Sequence, residues 1–127
     1  MPEPLACEVR PHFMLRLVDV AAALEAYRPP ADCAGRLTIA VADDWLAHNQ
    51  GVFELEIAGG AARCRALPGG ADADLACDVR ALAQLYSRYV RPRTAAAFGM
   101  LSVRSRPALA LADRFFAGLA PFCSDHF

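Results

Sequence analysis

The sequence predicts an α+β fold, a single domain in which one β-sheet is covered on one face by amphipathic helices. Three observations lead to this prediction. The chain has 127 residues, 56% of them hydrophobic, which suffices for one core but not for two domains. Several segments alternate apolar with other residues, as half-buried strands do. Other segments carry apolar residues at helical spacing and directly follow a predicted strand.

The first elements are expected to be a strand, a helix and a second strand. Residues alternate in character over Phe13–Val18, which favours a partly buried strand. Asp19 can then cap a helix that ends at Pro29 and Pro30. The apolar stripe of that helix consists of Val20, Ala23, Leu24 and Tyr27. A second strand is predicted over Arg36–Val41, followed by a polar loop.

A β-hairpin is predicted from Val52 to Leu67. Gly59 and Gly60 supply the positive φ angles that a two-residue hairpin turn requires. The register set by this turn opposes Glu56 to Arg63, Glu54 to Arg65, and Leu55 to Cys64. Because a slip of one residue would oppose Glu to Ala or Cys, the charge pairing supports this register and predicts one solvated face.

The C-terminal half is expected to contain one strand and three helices. Leu75, Cys77 and Val79 indicate a strand, and Asp78 can cap the helix that follows and ends near Pro92. The stripe of that helix consists of Leu82, Leu85, Tyr86 and Tyr89. A short helix over 94–98 and a longer one over 107–119 complete the prediction.

Charge and hydropathy exclude several classes of partner. The sequence contains 13 basic residues, all of them Arg, and 14 acidic residues, so the formal net charge is -1. No overall positive field is therefore available to bind nucleic acid or an anionic membrane. No apolar run approaches the roughly 18 residues of a membrane span. We expect a soluble protein with no nucleic-acid partner and no membrane span.

Cysteine usage and the N-terminal sequence favour a cytoplasmic location. The five Cys form no Cys-x-x-Cys pair, which argues against a disulfide framework and against a zinc site. Buried, reduced thiols are the simpler interpretation. The N-terminus lacks the basic and apolar stretches of a signal peptide. The cysteines are Cys7, Cys33, Cys64, Cys77 and Cys123.

Motifs for nucleotide, metal or nucleophile chemistry are absent from the sequence. There is no G-x-G-x-x-G, P-loop, H-E-x-x-H or G-x-S-x-G pattern. His12, His48 and His126 are too widely spaced to indicate a metal site, and Asp43-Asp44 is interpreted as a solvated turn. The sequence therefore predicts no cofactor and no metal in this chain.

Four collinear stretches of the chain are distinctive: Phe13–Leu24, Asp44–Leu55 with its Asn49-x-Gly51 turn, Asp74–Tyr86, and Ala120–Phe127. Together they resemble the C-terminal domain of enhanced-intracellular-survival (Eis) type GNAT N-acetyltransferases. The resemblance covers nearly the whole chain. One departure is His48, where family members usually have Trp; the only Trp here is Trp45.

The resemblance implies a sterol carrier protein (SCP2-like) fold: a single layer of mostly antiparallel sheet with helices on one face. It also implies that residues 1–12 form a linker and residues 13–127 the domain. In the family this domain follows one or two GNAT regions that bind acetyl-CoA, and these are missing from the 127 residues. The implied partners are a GNAT acetyltransferase domain in the same or a neighbouring chain, further copies of the full-length protein, and an amine substrate. On its own, the chain is not expected to be an enzyme.

The resemblance also implies a role for the last residue, Phe127. In the family, the terminal α-carboxylate enters the acetyltransferase site as general base towards the amine. A free α-carboxyl group has a pKa of about 3.3 to 3.7, so at neutral pH it is ionised and attracts a cationic amine. The alternative for Phe127 is packing against Phe115, Phe116 and Phe122. The alternatives for the whole chain are a stand-alone SCP2-like module that binds a lipid or another apolar ligand, and a purely structural pairing domain.

Overall fold

The computed structural model describes residues 16–117, and its centre is a five-stranded sheet. The strands lie in the order β3-β2-β1-β4-β5. All neighbouring pairs are antiparallel except β1 and β4, so the prediction of a mostly antiparallel sheet is confirmed. The strands are β1 (Gly35–Ala42), β2 (Gly51–Ala58), β3 (Ala61–Ala66), β4 (Leu75–Asp78) and β5 (Ser102–Val103).

The four helices of residues 16–117 share one core with the sheet. Buried residues of the helices form a single cluster with the inward-facing residues of the strands. In β1, Leu37, Ile39 and Val41 are buried, whereas Thr38 and Ala40 between them are half-exposed. The predicted α+β layer is therefore confirmed. The helices are α1 (Val20–Ala26), α2 (Val79–Tyr86), α3 (Pro92–Ala97) and α4 (Arg106–Phe115), and a 3-10 turn spans Ala47–Asn49.

The helices are short. Within residues 16–117, none is long and apolar enough to cross a lipid bilayer. Both predicted N-caps are confirmed: an Asp19 carboxylate oxygen accepts from the Ala22 amide at 3.0 Å, and an Asp78 oxygen accepts from the Ala81 amide at 2.8 Å. A third cap, Ser105 at the start of α4, was not predicted.

The hairpin register is as predicted. Glu56 lies opposite Arg63, Glu54 opposite Arg65, and Leu55 opposite Cys64. Gly59 and Gly60 have φ angles of 58° and 76°, which L-residues with side chains adopt at a cost. The turn chemistry and the charge pairing therefore specify the same alignment.

An aromatic cluster closes the core where α4 meets the end of α1. The ring of Phe115 lies 4.8 Å from the rings of both Tyr27 and Phe116, centroid to centroid. Tyr86 packs edge-on against Tyr27 at 5.3 Å. The predicted participants Phe122 and Phe127 lie outside the described residues.

The prediction of a strand over Phe13–Val18 is wrong for residues 16–18. Those residues are not in the sheet, and residues 13–15 lie outside the described part of the chain. The Leu17 and Val18 carbonyls accept hydrogen bonds from the side-chain amide of Asn49 at 3.1 and 3.3 Å. The backbone of residues 17 and 18 therefore pairs with a side chain and not with a neighbouring strand.

Other elements of the C-terminal half also differ from prediction. Helix α2, predicted to end near Pro92, ends at Tyr86, so Tyr89 lies beyond it and is exposed. Strand β5 was missed, because two residues carry no detectable alternation. Helix α4 was predicted over 107–119, and the structure places it at Arg106–Phe115. Its buried side chains include Leu111, Ala112 and Phe115, while Leu109 is partly exposed.

Candidate functional site

The residue that the resemblance singles out, Phe127, lies outside the described residues. His12, His126, Cys7 and Cys123 also lie outside them. The catalytic role of Phe127 therefore stays a proposal. Two other features of residues 16–117 bear on function: the sheet face turned away from the helices, and a buried polar network at one end of that sheet.

The sheet face opposite the helices, called the outer face below, has a row of small and apolar side chains at one end. Val52 of β2, Ala40 of β1, Ala76 of β4 and Ser102 of β5 lie side by side in register. The first three are half-exposed and the serine is exposed. We call these four residues the apolar row.

The other end of the outer face is charged. The Glu54 carboxylate pairs with Arg65 at 2.9 Å and with Arg36 at 3.4 Å. Glu56 lies opposite Arg36 on one side and opposite Arg63 on the other. Each such exposed pair contributes at most about 1 kcal/mol to stability. The opposite charges at this end are largely paired with each other, and the paired side chains are stable in contact with solvent.

A cleft of about 710 Å³ opens beside the apolar row. Arg80 and Gln84 of α2, Met100 before β5 and Cys77 contribute to its lining. Burial, and secondarily the Asp78 carboxylate, raise the pKa of the Cys77 thiol to about 12. The thiol therefore stays protonated at neutral pH and is a poor nucleophile. Cys77 therefore gives the cleft no nucleophile at neutral pH, and the lining combines apolar side chains with the polar Arg80 and Gln84.

The cysteines in the described part of the chain are free thiols. Cys33 is buried, as predicted, whereas Cys64 and Cys77 are partly exposed. Burial is the main cause that raises the pKa of Cys64 to about 12, and the Glu25 carboxylate adds to it. These thiols are therefore unreactive at neutral pH.

Asp43, which was expected in a solvated turn, is buried, and the expectation is wrong for this residue. Its carboxylate accepts hydrogen bonds from Arg16 at 2.8 and 3.0 Å and from the Asn49 side chain at 3.0 Å. The backbone amides of Trp45 and Leu46 donate to the same carboxylate at 2.9 and 3.1 Å. Asp43 therefore organises the loop that follows β1.

Asn49 links this loop to the start of α1. Its side chain is fully buried; Oδ1 accepts from the Val20 amide at 2.9 Å, and Nδ2 donates to the Leu17 carbonyl at 3.1 Å. His48 lies in the exposed loop, as predicted, with Nε2 2.7 Å from the Val18 carbonyl oxygen. The resemblance had pointed to the Asn49-x-Gly51 turn, but no sequence signal paired Asp43 with the distant Arg16.

The Asp43 network predicts a stability loss in acid. Burial raises the pKa of Asp43, but hydrogen bonds from Asn49, Arg16 and two backbone amides outweigh it and hold the pKa below the usual range. The unfolded-state pKa is about 3.9, so this contribution is complete above that pH and is lost as pH falls towards the lower folded-state pKa. We expect urea unfolding to show stability falling below about pH 4.

The Asp43→Asn variant tests this assignment. Because Asn carries no titratable proton, its stability should fall less steeply between pH 4 and pH 2.5 than that of the wild type. Asp44→Asn, at the neighbouring exposed position, should retain the wild-type slope. Equal slopes for Asp43→Asn and the wild type would contradict the role of Asp43.

The N-termini of α2 and α4 do not fit the pyrophosphate of acetyl-CoA. A coenzyme pyrophosphate is usually held by free amides at a helix N-terminus after a glycine-rich turn. Helix α2 begins instead at the Asp78 carboxylate, which repels phosphate, and α4 is capped by its own Ser105. Within residues 16–117, no group of three His, Cys, Asp or Glu could hold a metal ion.

Within residues 16–117, the fold and this site define a small α+β domain with helices on one sheet face and a cleft that borders the other. The family model of the sterol carrier protein domain matches residues 20–124. The chain therefore belongs to the sterol carrier protein domain family, as the resemblance implied. None of the curated protein sequences compared with the chain matches it.

Three solved acetyltransferase structures are similar to the chain. A GCN5-related N-acetyltransferase from Anabaena variabilis is 37% identical over 84% of this chain and 26% of its own, with a TM-score of 0.78. A GCN5-related N-acetyltransferase from Kribbella flavida is 25% identical over 89% of this chain and 28% of its own, with a TM-score of 0.78. Eis1 from Mycobacterium abscessus is 31% identical over 89% and 27%, with a TM-score of 0.72. The chain thus spans only 26–28% of their length.

A fourth similar structure is a conserved protein from Thermus thermophilus, described as a possible sterol carrier protein. It is 25% identical to the chain, with a TM-score of 0.50. The similarity covers 76% of this chain and 77% of that one. The same fold therefore also occurs in a chain of comparable size.

Proposed function

We propose that this chain is the SCP2-like part of an acetyl-CoA-dependent N-acetyltransferase, in which it completes the amine-substrate site and supports oligomer assembly. The observation that supports this most is the 37% identity to the Anabaena variabilis N-acetyltransferase, of which this stretch makes up 26%. In this proposal residues 1–12 are the linker, residues 13–127 are the domain, and the protein acts in the cytoplasm.

The proposal divides the work between two regions. The acetyl donor belongs to the acetyltransferase region, and the capped N-termini of α2 and α4 in this chain are not suited to hold its pyrophosphate. This chain supplies the terminal carboxylate of Phe127. The carboxylate attracts and orients a cationic amine and accepts a proton from it, while the phenyl ring of Phe127 is free to pack.

A chimera tests the proposal: the matching C-terminal quarter of the Anabaena variabilis enzyme is replaced by residues 13–127 of this chain. Deleting Phe127, or adding one Gly after it, shifts the carboxylate by about 3.5 Å. We expect either change to lower kcat/KM for amine acetylation about 100-fold, the lower range of general acid–base effects. The measurement is release of the coenzyme thiol with a panel of primary amines.

Phe127→Leu is the matched control, because it keeps the terminal carboxylate and changes only the side chain. It should lose less than about 10-fold in kcat/KM, the low end of what one positioned apolar contact provides. If the deletion and the extension leave kcat/KM unchanged in a folded chimera that binds acetyl-CoA, the carboxylate has no catalytic role.

A second candidate function is binding of a lipid or another apolar ligand by a stand-alone domain. It is favoured by the Thermus thermophilus protein, of which the similarity covers 77%. Mass spectrometry of the gently purified 127-residue chain under native conditions tests it. A lipid present in one-to-one ratio supports this second function, and a ligand-free spectrum contradicts it.

A further inference from the structure

The outer face of the sheet is not occupied by the helices described above. Buried residues of α1, α2 and α4 belong to one core with the inward-facing residues of β1 and β2. On the opposite side, Ala40, Val52 and Ala76 stay half-exposed in the described part of the chain. Any further protein surface that packs on this sheet therefore has the outer face available to it.

The two ends of the outer face differ in polarity. At the charged end, Glu54 forms ion pairs with two arginines, so its polar groups are satisfied in water. At the other end, the apolar row and the neighbouring Met100 border a cleft of about 710 Å³. Covering the apolar row removes apolar area from water and breaks no ion pair described here.

The chain enters the described structure at this same end of the sheet. Arg16 is bound to Asp43, which directly follows β1, and the Asp43 amide donates to the Gln50 side chain at 2.7 Å. Gln50 in turn lines the cleft. A polypeptide joined through residues 1–15 is held within about 50 Å of this point, since an extended residue spans about 3.3 Å. Such a tether makes even a small interface effective.

Two large apolar side chains are exposed at the same corner. Trp45, in the loop between β1 and β2, is 82% exposed, and Val18, at the start of the described chain, is 50% exposed. Exposed aromatic residues beside a row of apolar side chains are typical of protein interfaces. The Trp45 amide and the Asn49 side chain both donate hydrogen bonds to the Asp43 carboxylate, which holds the loop that carries Trp45.

We propose that the apolar row, its cleft and Trp45 form the surface on which the acetyltransferase region packs. The inference rests on the proposed function. The occupant it requires is a protein surface with an apolar centre, which covers the uncharged row, and a polar margin, which meets Arg80 and Gln84 of the cleft lining. The proposal predicts that Trp45 and Met100 lose solvent contact when the acetyltransferase region is joined to this chain.

Hydroxyl-radical footprinting with mass spectrometry tests this on the 127-residue chain and on the chimera described above. We expect oxidation of Trp45 and Met100 to be at least about fivefold slower in the chimera, as burial at an interface core excludes solvent. Ala40→Glu in the chimera should restore the rates of the isolated chain. Ala58→Glu, on the outer face at the charged end, is the matched control and should keep the protection.

A folding control accompanies the variant. Circular dichroism of the 127-residue chain should show that Ala40→Glu is folded; if it is not, Ser102→Glu replaces it, because Ser102 lies in the same row and is exposed. If Trp45 and Met100 are oxidised as fast in the chimera as in the isolated chain, the proposed docking surface is wrong. Protection that rises with concentration in the isolated chain would also overturn it, since the occupant would then be a second copy.

The experiments can contradict the proposed docking surface and the proposed function independently of each other. A chimera whose acetylation depends on Phe127 but whose Trp45 and Met100 are unprotected contradicts the surface and leaves the function standing. An inactive chimera in which Trp45 and Met100 are protected supports the surface and contradicts the function.

Discussion

Replacing Phe115 with Ala is expected to lower the free energy of unfolding by about 3 to 5 kcal/mol, the usual cost of deleting a buried Phe side chain. Phe115 is fully buried, and its ring packs at 4.8 Å against both Tyr27 and Phe116. These neighbours come from α1 and from the end of α4, so they cannot collapse into the cavity without moving a helix. Urea unfolding followed by circular dichroism measures the loss.

Phe98→Ala is the matched control for Phe115→Ala. The Phe98 side chain is 76% exposed, so the same substitution should change stability by less than about 0.5 kcal/mol. If the two variants are equally stable, the aromatic cluster is not the packing centre that the structure indicates.

Asn49→Ala is expected to cost about 3 to 5 kcal/mol. The substitution leaves the buried Val20 amide and the buried Leu17 carbonyl without partners, and each unsatisfied buried group costs about 1 to 3 kcal/mol. It also removes a donor to the Asp43 carboxylate. Chemical denaturation at pH 7 measures the change.

The neighbouring His48→Ala provides the comparison. His48 is exposed and contacts the Val18 carbonyl oxygen, so its removal should cost no more than about 1 kcal/mol. A cost for Asn49→Ala that is no larger than this would show that other groups or water satisfy the Val20 amide.

Elements that depend on neighbouring residues were predictable. The Gly59-Gly60 turn and the Glu–Arg pairs together define the hairpin register, and all of these residues lie within 12 positions of one another. The caps Asp19 and Asp78 bind amides three residues ahead. The apolar alternation in β1 reveals which face is buried. Such interactions are encoded by spacing, which a sequence displays directly.

Contacts between distant residues were not predictable in the same way. Arg16 and Asp43 are 27 positions apart, and the Asn49 side chain bonds to backbone groups 29 to 32 positions before it. An Asp-Asp pair is usually a solvated turn, and alternation over Phe13–Val18 is usually a strand. Both interpretations failed because a buried side-chain network outweighed the local preference.

The amino-acid order alone determined the α+β layer, the hairpin register and two helix caps, since turn chemistry and side-chain period act over a few residues. Only the folded chain decided that Asp43 and Asn49 are buried and that an apolar row lies beside a cleft on the outer face. The physical reason is that burying a polar group is favourable only when partners surround it, and those partners come from segments far apart in the chain.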